Sequence, residues 1–267
     1  MKQRGFSLIE IAIGLMIIGL IASSMIASIS QQTEQRRATE TKASLAQARD
    51  AVMAYLTSQG RLPCPASATS NGQESILSNT GGTITCNLEA GFLPAVTLGM
   101  TGLDASGNLN NGWDDGAGAT TTRPRAFRYG VSNLVAPVAN ALTSPGLGAA
   151  SSSTRRNDVQ TAINGGNALF VCASAAGITG GTNRCGGTAN LLSNSAAVTI
   201  WTLGANGNDT TAFSADEQQN ATLAVPRVVI SRGYAPTGAT GGMFDDFVTW
   251  IPASIVLERL LTTGAVQ

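Results

Sequence analysis

The sequence predicts an α+β fold in which one long N-terminal helix packs on an antiparallel β-sheet. An apolar run extends from residue 6 to 29, and a segment rich in Ala, Gln, Glu, Arg and Lys continues it to residue 59. The remainder is dominated by Gly, Ala, Ser, Thr and Asn, and it contains short alternating segments that are typical of strands.

The apolar run contains a single charged residue, Glu10, and is long enough for a helix to cross a bilayer. A carboxylate inside such a helix costs roughly 2.5–3.5 kcal/mol on insertion scales, so we expect Glu10 to serve a function. Lys2 and Arg4 precede the run and are expected to keep the N-terminus in the cytoplasm. An ordinary signal peptide, cleaved near Ala22–Ser24 or Ala27–Ile29, and a plain signal anchor are the alternatives. Neither alternative explains Glu10.

Residues 4–10 read Arg4-Gly5-Phe6-Ser7-Leu8-Ile9-Glu10, and the apolar run follows directly. This pattern resembles the processing site of type IV pilins and of the pseudopilins of type II secretion. The resemblance implies that prepilin peptidase cleaves after Gly5 and that the new N-terminal Phe6 is methylated. It further implies a leader at 1–5, a long helix at 6–60 with a transmembrane or filament-core part at 6–29, and a pilin-like globular domain at 61–267.

The resemblance also gives Glu10 a role in assembly. Cleavage creates a positive α-amine at Phe6 inside the apolar layer, and the helix dipole favours a negative charge near that terminus. In a filament, Glu10 of one subunit is expected to meet the amine of its neighbour. The desolvation cost of each charge is relieved only when the two charges pair in the filament. The pair is therefore expected to attract neighbouring subunits and also to fix the axial position of one helix relative to the next.

Residues 31–59 are expected to form an amphipathic second half of the helix. Its apolar stripe consists of Leu45, Ala48, Val52, Tyr55 and Leu56. Such a stripe predicts packing against the globular domain, and a coiled-coil stalk is the alternative. Gly60 and Pro63 predict the end of the helix.

The four cysteines predict two disulfides, because the resemblance places the domain outside the cytoplasm. No pair has the C-x-x-C spacing of a zinc or redox site. Among the three possible connectivities we expect the pairs that are local in sequence, Cys64–Cys86 and Cys172–Cys185. Buried free thiols are the alternative.

Charge and composition exclude several classes of function. The chain has 16 basic and 16 acidic side chains, so no basic excess indicates nucleic-acid binding. Histidine is absent, which excludes Ser-His, Cys-His and zinc-His sites. No nucleophile elbow, phosphate loop or paired acid site is evident, and we therefore expect no enzymatic activity.

Local patterns predict five strands and a final helix. The strands are expected at Ala126–Ser132, Ala168–Ala173, Ala197–Leu203, Leu223–Ser231 and Met243–Ile251, and the helix at Pro252–Leu261. Pro226 predicts that the fourth strand begins late or lies at a sheet edge. Residues 134–166 and 177–196 are low in hydrophobicity and are expected to form exposed loops where binding would be placed.

Several short segments of the globular part resemble a subgroup of large pilin-like proteins. They are Arg61-Leu62-Pro63-Cys64-Pro65-Ala66, Gly91-Phe92-Leu93-Pro94, Thr97-Leu98-Gly99, Trp113-Asp114, Phe127-Arg128-Tyr129 and residues 244–250. The matching segments are scattered, so this resemblance supports the fold more than the role.

Two groups of acidic and amide side chains partly resemble calcium loops. The first holds Asp104, Ser106, Asn108, Asn110, Asp114 and Asp115, and the second holds Asn206, Asn208, Asp209, Asp216 and Glu217. In the first group Leu109 replaces the required glycine and no terminal glutamate follows, so turn-rich loops are preferred and no cofactor is expected. Calcium binding by these loops is the alternative. Asp245 and Asp246 are expected to point to opposite faces of a strand, one of them to solvent.

The resemblance implies a structural subunit of a type IV pilus with surface-binding loops. Its expected partners are prepilin peptidase, copies of itself and other pilins in a helical filament, and the inner membrane before assembly. The chain would first span that membrane once, with its N-terminus in the cytoplasm, and would then join an extracellular pilus or a periplasmic pseudopilus. The alternatives are a pseudopilin of type II secretion and a membrane-anchored periplasmic enzyme.

Overall fold

The computed structural model describes residues 8–113, 125–132, 142–144, 168–181, 183–207, 211 and 213–262, apart from the side chains of residues 20–31. It has the α+β architecture that the sequence predicts, with a long N-terminal helix and a curled sheet. None of the helices in this described part is both long and apolar enough to cross a membrane.

Helix α1 extends over Leu8–Gln59, which is 52 residues and roughly 78 Å at 1.5 Å per residue. Its predicted apolar stripe packs on the globular domain, because Leu45, Ala48, Val52 and Leu56 are all buried in the main core. The helix ends as predicted at Gly60, whose φ of 64° lies in the left-handed region. The Gly60 amide donates to the Leu56 carbonyl at 2.9 Å.

Two short strands that the local patterns did not predict follow the helix. They are β1 (Ile76–Thr80) and β2 (Thr83–Cys86), which pair antiparallel as a two-stranded hairpin. Gly81 and Gly82 connect them with φ values of 60° and 84°, a conformation that glycine adopts without steric cost.

The main sheet has six strands. They are β3 (Ala90–Phe92), β4 (Arg128–Val131), β5 (Leu169–Cys172), β6 (Leu191–Thr202), β7 (Val228–Ile230) and β8 (Phe247–Pro252). The strand order is β3-β4-β6-β5-β7, and β8 pairs with β6 as well. Helices α2 (Ala215–Thr222) and α3 (Ala253–Thr262) precede β7 and follow β8.

The expectation of a purely antiparallel sheet is wrong at one pair. Strands β5 and β7 run parallel, with Phe170 opposite Val228 and Cys172 opposite Ile230. The reason is the connection: after β6 the chain passes through α2 and returns on the far side of β5. All other pairs of the six-stranded sheet are antiparallel.

The five predicted strands and the final helix are all present, with shifted ends. Strand β6 differs most, because it begins at Leu191 rather than at residue 197, and its first half pairs with β5. The expected loop at 177–196 therefore includes strand as well as a short 3-10 helix at Thr188–Asn190. Strand β7 begins after Pro226 and lies at a sheet edge, as predicted.

The segment 134–166, predicted to be an exposed loop, is described only at residues 142–144. These three residues are buried, which contradicts the expectation for this part. The Leu142 carbonyl accepts from the Leu62 amide at 2.8 Å, and the Ser144 hydroxyl accepts from the Ile84 amide at 2.9 Å. Residues 142–144 thus complete the core beside β2.

Candidate functional site: the N-terminal helix and a buried carboxylate cluster

The first turns of α1 present an apolar surface that the chain does not cover. Eight large apolar side chains are more than half exposed, namely Leu8, Ile9, Ile11, Ile13, Leu15, Met16, Ile17 and Ile18. They lie all round the helix rather than on one stripe, in contrast to residues 45–56. A contiguous exposed surface of this kind marks a site of contact with a membrane or with other protein chains.

Glu10 lies in the first described turn of α1 and is exposed among these apolar side chains. The structure thus places the carboxylate on a surface formed almost entirely by apolar groups. Gly5 and Phe6, the predicted processing site, lie outside the described residues. The pairing of Glu10 with the Phe6 amine therefore stays a prediction.

Both expected disulfides are present. Cys64 is bonded to Cys86, with Cα atoms 5.3 Å apart, and Cys172 is bonded to Cys185, with Cα atoms 5.5 Å apart. The first disulfide ties the segment after α1 to strand β2. The second ties the end of β5 to the loop that precedes β6. All four cysteines are buried.

Three carboxylates meet beneath the end of the sheet, where the local patterns predicted no paired acid site. Glu217 belongs to α2, whereas Asp245 and Asp246 directly precede β8. One oxygen from each lies within 4.8 Å of the other two. The residues are 0%, 6% and 7% exposed, respectively.

Backbone and amide donors hold each carboxylate in place. Glu217 accepts from the Ser214 amide at 2.9 Å as half of a capping box at the start of α2. Asp245 accepts from the Ala205 amide at 2.9 Å. Asp246 accepts from the Asn220 side-chain amide at 2.8 Å.

Burial and close approach make these acids harder to ionise. Burial raises the pKa of Asp245 to about 6, and the Glu217 carboxylate adds to the rise. Burial raises the pKa of Asp246 to about 8, against the opposing hydrogen bond from Asn220. Raised pKa values of this kind are typical of buried carboxyl groups that lie close to other carboxyl groups.

The expectation that Asp245 and Asp246 point apart, one of them to solvent, is wrong, because both are buried. It assumed regular strand alternation, but β8 begins only at Phe247, so the two aspartates lie in the irregular segment before the strand. Their partner Glu217 is 28 residues away in sequence. The local signal that identifies it is the Ser214–Glu217 capping box.

The first of the two groups that partly resemble calcium loops forms the turn-rich loop that we expected, in which Asp104 is bound by donors of the loop itself. Asp104 accepts from the amides of Ser106 and Asn108, both at 2.8 Å, and its other oxygen accepts from the Asn110 side chain at 3.3 Å. Burial raises the pKa of Asp104, but these hydrogen bonds outweigh it and lower the net value. The geometry is that of a turn-rich loop. Asp114 and Asp115 lie outside the described residues.

The second predicted group separates in the structure. Asp216 forms an ion pair with Arg232 at 2.8 Å and accepts from the Ala175 amide at 2.6 Å. Glu217 faces the opposite way, into the carboxylate cluster. Asn206 lies in the turn after β6, next to Asp245. Asn208 and Asp209 lie outside the described residues.

Comparison with known proteins gives one match. Residues 1–26 match the family described as the prokaryotic N-terminal methylation motif. No curated protein and no solved structure matches the chain significantly. The matched segment includes the predicted cleavage site, Glu10 and the apolar start of α1. The chain therefore carries the N-terminal methylation motif of prepilins, which supports its membership of the type IV pilin and pseudopilin family.

Proposed function

We propose that this chain is a structural subunit of a type IV pilus. Prepilin peptidase cleaves it after Gly5, Phe6 is methylated, and the mature chain waits in the inner membrane before it enters an extracellular filament. The observation that carries the proposal is the apolar surface of residues 8–18, which is exposed in the single chain and directly follows a methylation motif.

Filament assembly explains why this surface is apolar on all sides. A helix that packs on one domain needs a single apolar stripe, as residues 45–56 show. A helix that is surrounded by lipid, and later by helices of neighbouring subunits, needs apolar side chains all round. The second half of α1 then holds the globular domain, at 61–267, outside the filament core.

The Glu10 carboxylate is the proposed register device of the filament. Inside an apolar layer, a carboxylate and an α-amine each carry a desolvation cost, which falls when they pair. Pairing between neighbouring subunits fixes the axial position of each helix. Glu10 therefore acts with the Phe6 amine of another copy.

A pilus is preferred over the pseudopilus of a type II secretion system because of the large globular domain and its loops. The two assemblies are separated by where the protein is found. An antibody against the domain should label sheared extracellular filaments if the chain is a pilin. Protein that stays with the cell envelope in a piliated, secretion-competent strain would favour the pseudopilin.

The processing step is tested by intact-mass analysis of the protein purified from its host. We expect a mature chain that lacks residues 1–5 and carries one added methyl group on Phe6. Gly5→Val should accumulate as the full-length precursor, whereas Ser7→Ala should be processed normally. An N-terminus near Ala22–Ser24 would contradict the proposal and would indicate a signal peptide.

The competing class, a membrane-anchored periplasmic enzyme, has weaker support. The chain has no histidine. The buried carboxylates Glu217, Asp245 and Asp246 are the strongest acid–base candidates in the described part. Turnover of a polysaccharide or ester panel by the purified chain, abolished by Asp245→Asn, would overturn the structural role.

A further inference from the structure

Three buried carboxylates in contact carry more negative charge than their donors neutralise. Glu217, Asp245 and Asp246 would together bear three charges if all were ionised, and their mutual approach is within 4.8 Å. The largely buried Arg128 guanidinium interacts electrostatically with Asp246 and offsets part of this charge. In a buried position the remaining charge must be compensated by protons or by a bound cation. The question is which of the two occupies the centre.

One oxygen of the cluster has no donor. Asp245 Oδ1 is fully buried, and it accepts no hydrogen bond from any residue in the described part of the chain. Asp245 as a whole is only 6% exposed. One oxygen of its carboxyl group lies within 4.8 Å of an oxygen of Glu217 and of an oxygen of Asp246. A buried acceptor without a donor is costly, and a bound cation would remove that cost.

The turn after β6 is shaped around this oxygen. Asp245 Oδ1 occupies the space that a side chain at Gly204 would fill, since a Cβ built there would lie 2.1 Å from it. The Gly204 amide donates to Asp246 Oδ1 at 3.3 Å. Gly204 therefore lets both aspartates approach the backbone closely. Two residues after Gly204, the side-chain oxygen Oδ1 of Asn206 is a second buried oxygen that accepts no hydrogen bond from the described residues.

The ligand set selects the type of cation. Every group offered is a carboxylate or amide oxygen, all four cysteines are in disulfides, and the chain has no histidine. Such hard oxygen ligands favour calcium or magnesium over zinc or copper. Calcium fits better, because it accepts irregular coordination by several carboxylates and gives up its water more readily than magnesium does.

The site is reached from solvent through a cavity of about 270 Å³ beside α1. Asp245 and Asp246 form part of its wall, together with Lys42, Arg232 and Tyr234. A cation can therefore enter after the domain has folded. Arg232 is held away from the carboxylates, since its guanidinium pairs with Asp216 and donates to the carbonyls of residues 241–243.

We propose that Glu217, Asp245 and Asp246 bind one calcium ion, which joins α2, the turn after β6 and the start of β8. Of the two groups suggested by sequence pattern, the second contributes Glu217 to this site, whereas the first contributes no ligand. The proposal concerns the folded domain and does not depend on filament assembly. A calcium ion here would fix the turn that lies against α1.

The test uses the full chain in detergent, stripped with a chelator and titrated with calcium chloride alone. Calorimetry should show one calcium ion per chain. Thermal unfolding should shift upward by roughly 5–10 °C when free calcium is about 100 times Kd. Asp245→Asn should lose both effects, whereas the matched variant Asp104→Asn should keep them.

The wild-type measurement alone decides the matter if Asp245→Asn does not fold. An unchanged unfolding temperature and no binding heat at millimolar calcium would overturn the proposal, and would indicate that the carboxyl groups hold protons instead. Binding that persists unchanged in a folded Asp245→Asn variant would also overturn it, because the ion would then lie elsewhere.

Discussion

The Arg61 guanidinium donates two hydrogen bonds, of 2.9 and 2.6 Å, to the Glu74 carboxylate at the point where α1 meets the globular domain. Both side chains are largely buried, at 10% and 13% exposure. Glu74 also accepts from the Cys64 amide at 3.0 Å and from the Tyr55 hydroxyl at 3.2 Å. One carboxylate thus joins the helix, the disulfide segment and the strand hairpin.

Glu74→Gln should strongly destabilise the domain. The change leaves the buried Arg61 charge without its partner, and breaking a buried pair in this way costs about 3 kcal/mol. Urea unfolding of the detergent-purified chain, followed by tryptophan fluorescence, measures the loss. Glu258→Gln, an exposed site on α3, is the control and should change the unfolding free energy by less than about 0.5 kcal/mol. Equal effects of the two variants would contradict the role of the pair.

The same pair predicts a dependence on acid pH. Burial raises the pKa of Glu74, but the hydrogen bonds from Arg61 and the Cys64 amide outweigh it, so the net pKa lies below the ordinary value of 4.5. A lowered folded-state pKa means that the stabilisation is present above the unfolded-state pKa and is lost as the pH falls through the folded-state value. The stability difference between wild type and Glu74→Gln should therefore shrink below about pH 4.5. If the stability difference between wild type and Glu74→Gln stayed constant down to the pH of acid unfolding, the lowered pKa of Glu74 would be contradicted.

Leu56→Ala should show how far α1 depends on its apolar stripe. Leu56 is fully buried in the main core, so truncation leaves a cavity and should cost roughly 2–5 kcal/mol. Leu77→Ala is the matched control, because Leu77 lies in β1 and is 67% exposed. Chemical denaturation of both variants gives the comparison. A small effect at Leu56 would favour a helix that stands apart from the domain.

Removal of the second disulfide should loosen the β5–β6 region. The Cys172–Cys185 bond closes a loop with a sequence separation of 13, for which loss of the cross-link costs about 3 kcal/mol. The double variant Cys172→Ser/Cys185→Ser should unfold at lower urea concentration. It should also show faster amide exchange in β5 and β7, which pack in the same cluster. Retention of wild-type exchange rates there would argue against this structural role.

Local patterns predicted those parts of the chain whose signal is contained within a few turns. The stripe from Leu45 to Leu56 has helical period, and Gly60 carries its own stop signal, so the sequence predicts the C-terminal end of α1 almost to the residue. The hairpin of β1 and β2 is not predicted from the sequence, because β1 shows no alternation of apolar and polar residues and all five of its residues are exposed. Helix α2 is not predicted because it has only eight residues, although the Ser214–Glu217 capping box is a recognisable sequence signal for its start.

The carboxylate cluster of Glu217, Asp245 and Asp246 could not be predicted from local sequence patterns, because its members are distant in the chain. Glu217 and Asp245 are brought together only because α2 returns the chain past β5 before β8 begins. The sequence pattern places Asp245 and Asp246 inside a strand, whereas β8 begins at Phe247, directly after them. One aspartate was therefore expected to face solvent, but both are buried. Contacts between distant segments depend on the whole topology, which local periodicity does not determine.

The central claim is that Glu10 drives assembly through the helix, and Glu10→Ala in the native host tests it most directly. Quantitative immunoblotting of sheared filaments and of membranes measures incorporation, with Glu40→Ala, at an exposed position further along α1, as the control. We expect Glu10→Ala to be processed and to reach the membrane at wild-type levels, yet to be depleted from filaments at least about tenfold, as a pairing energy of about 1.4 kcal/mol or more requires. Wild-type incorporation of Glu10→Ala would contradict the account.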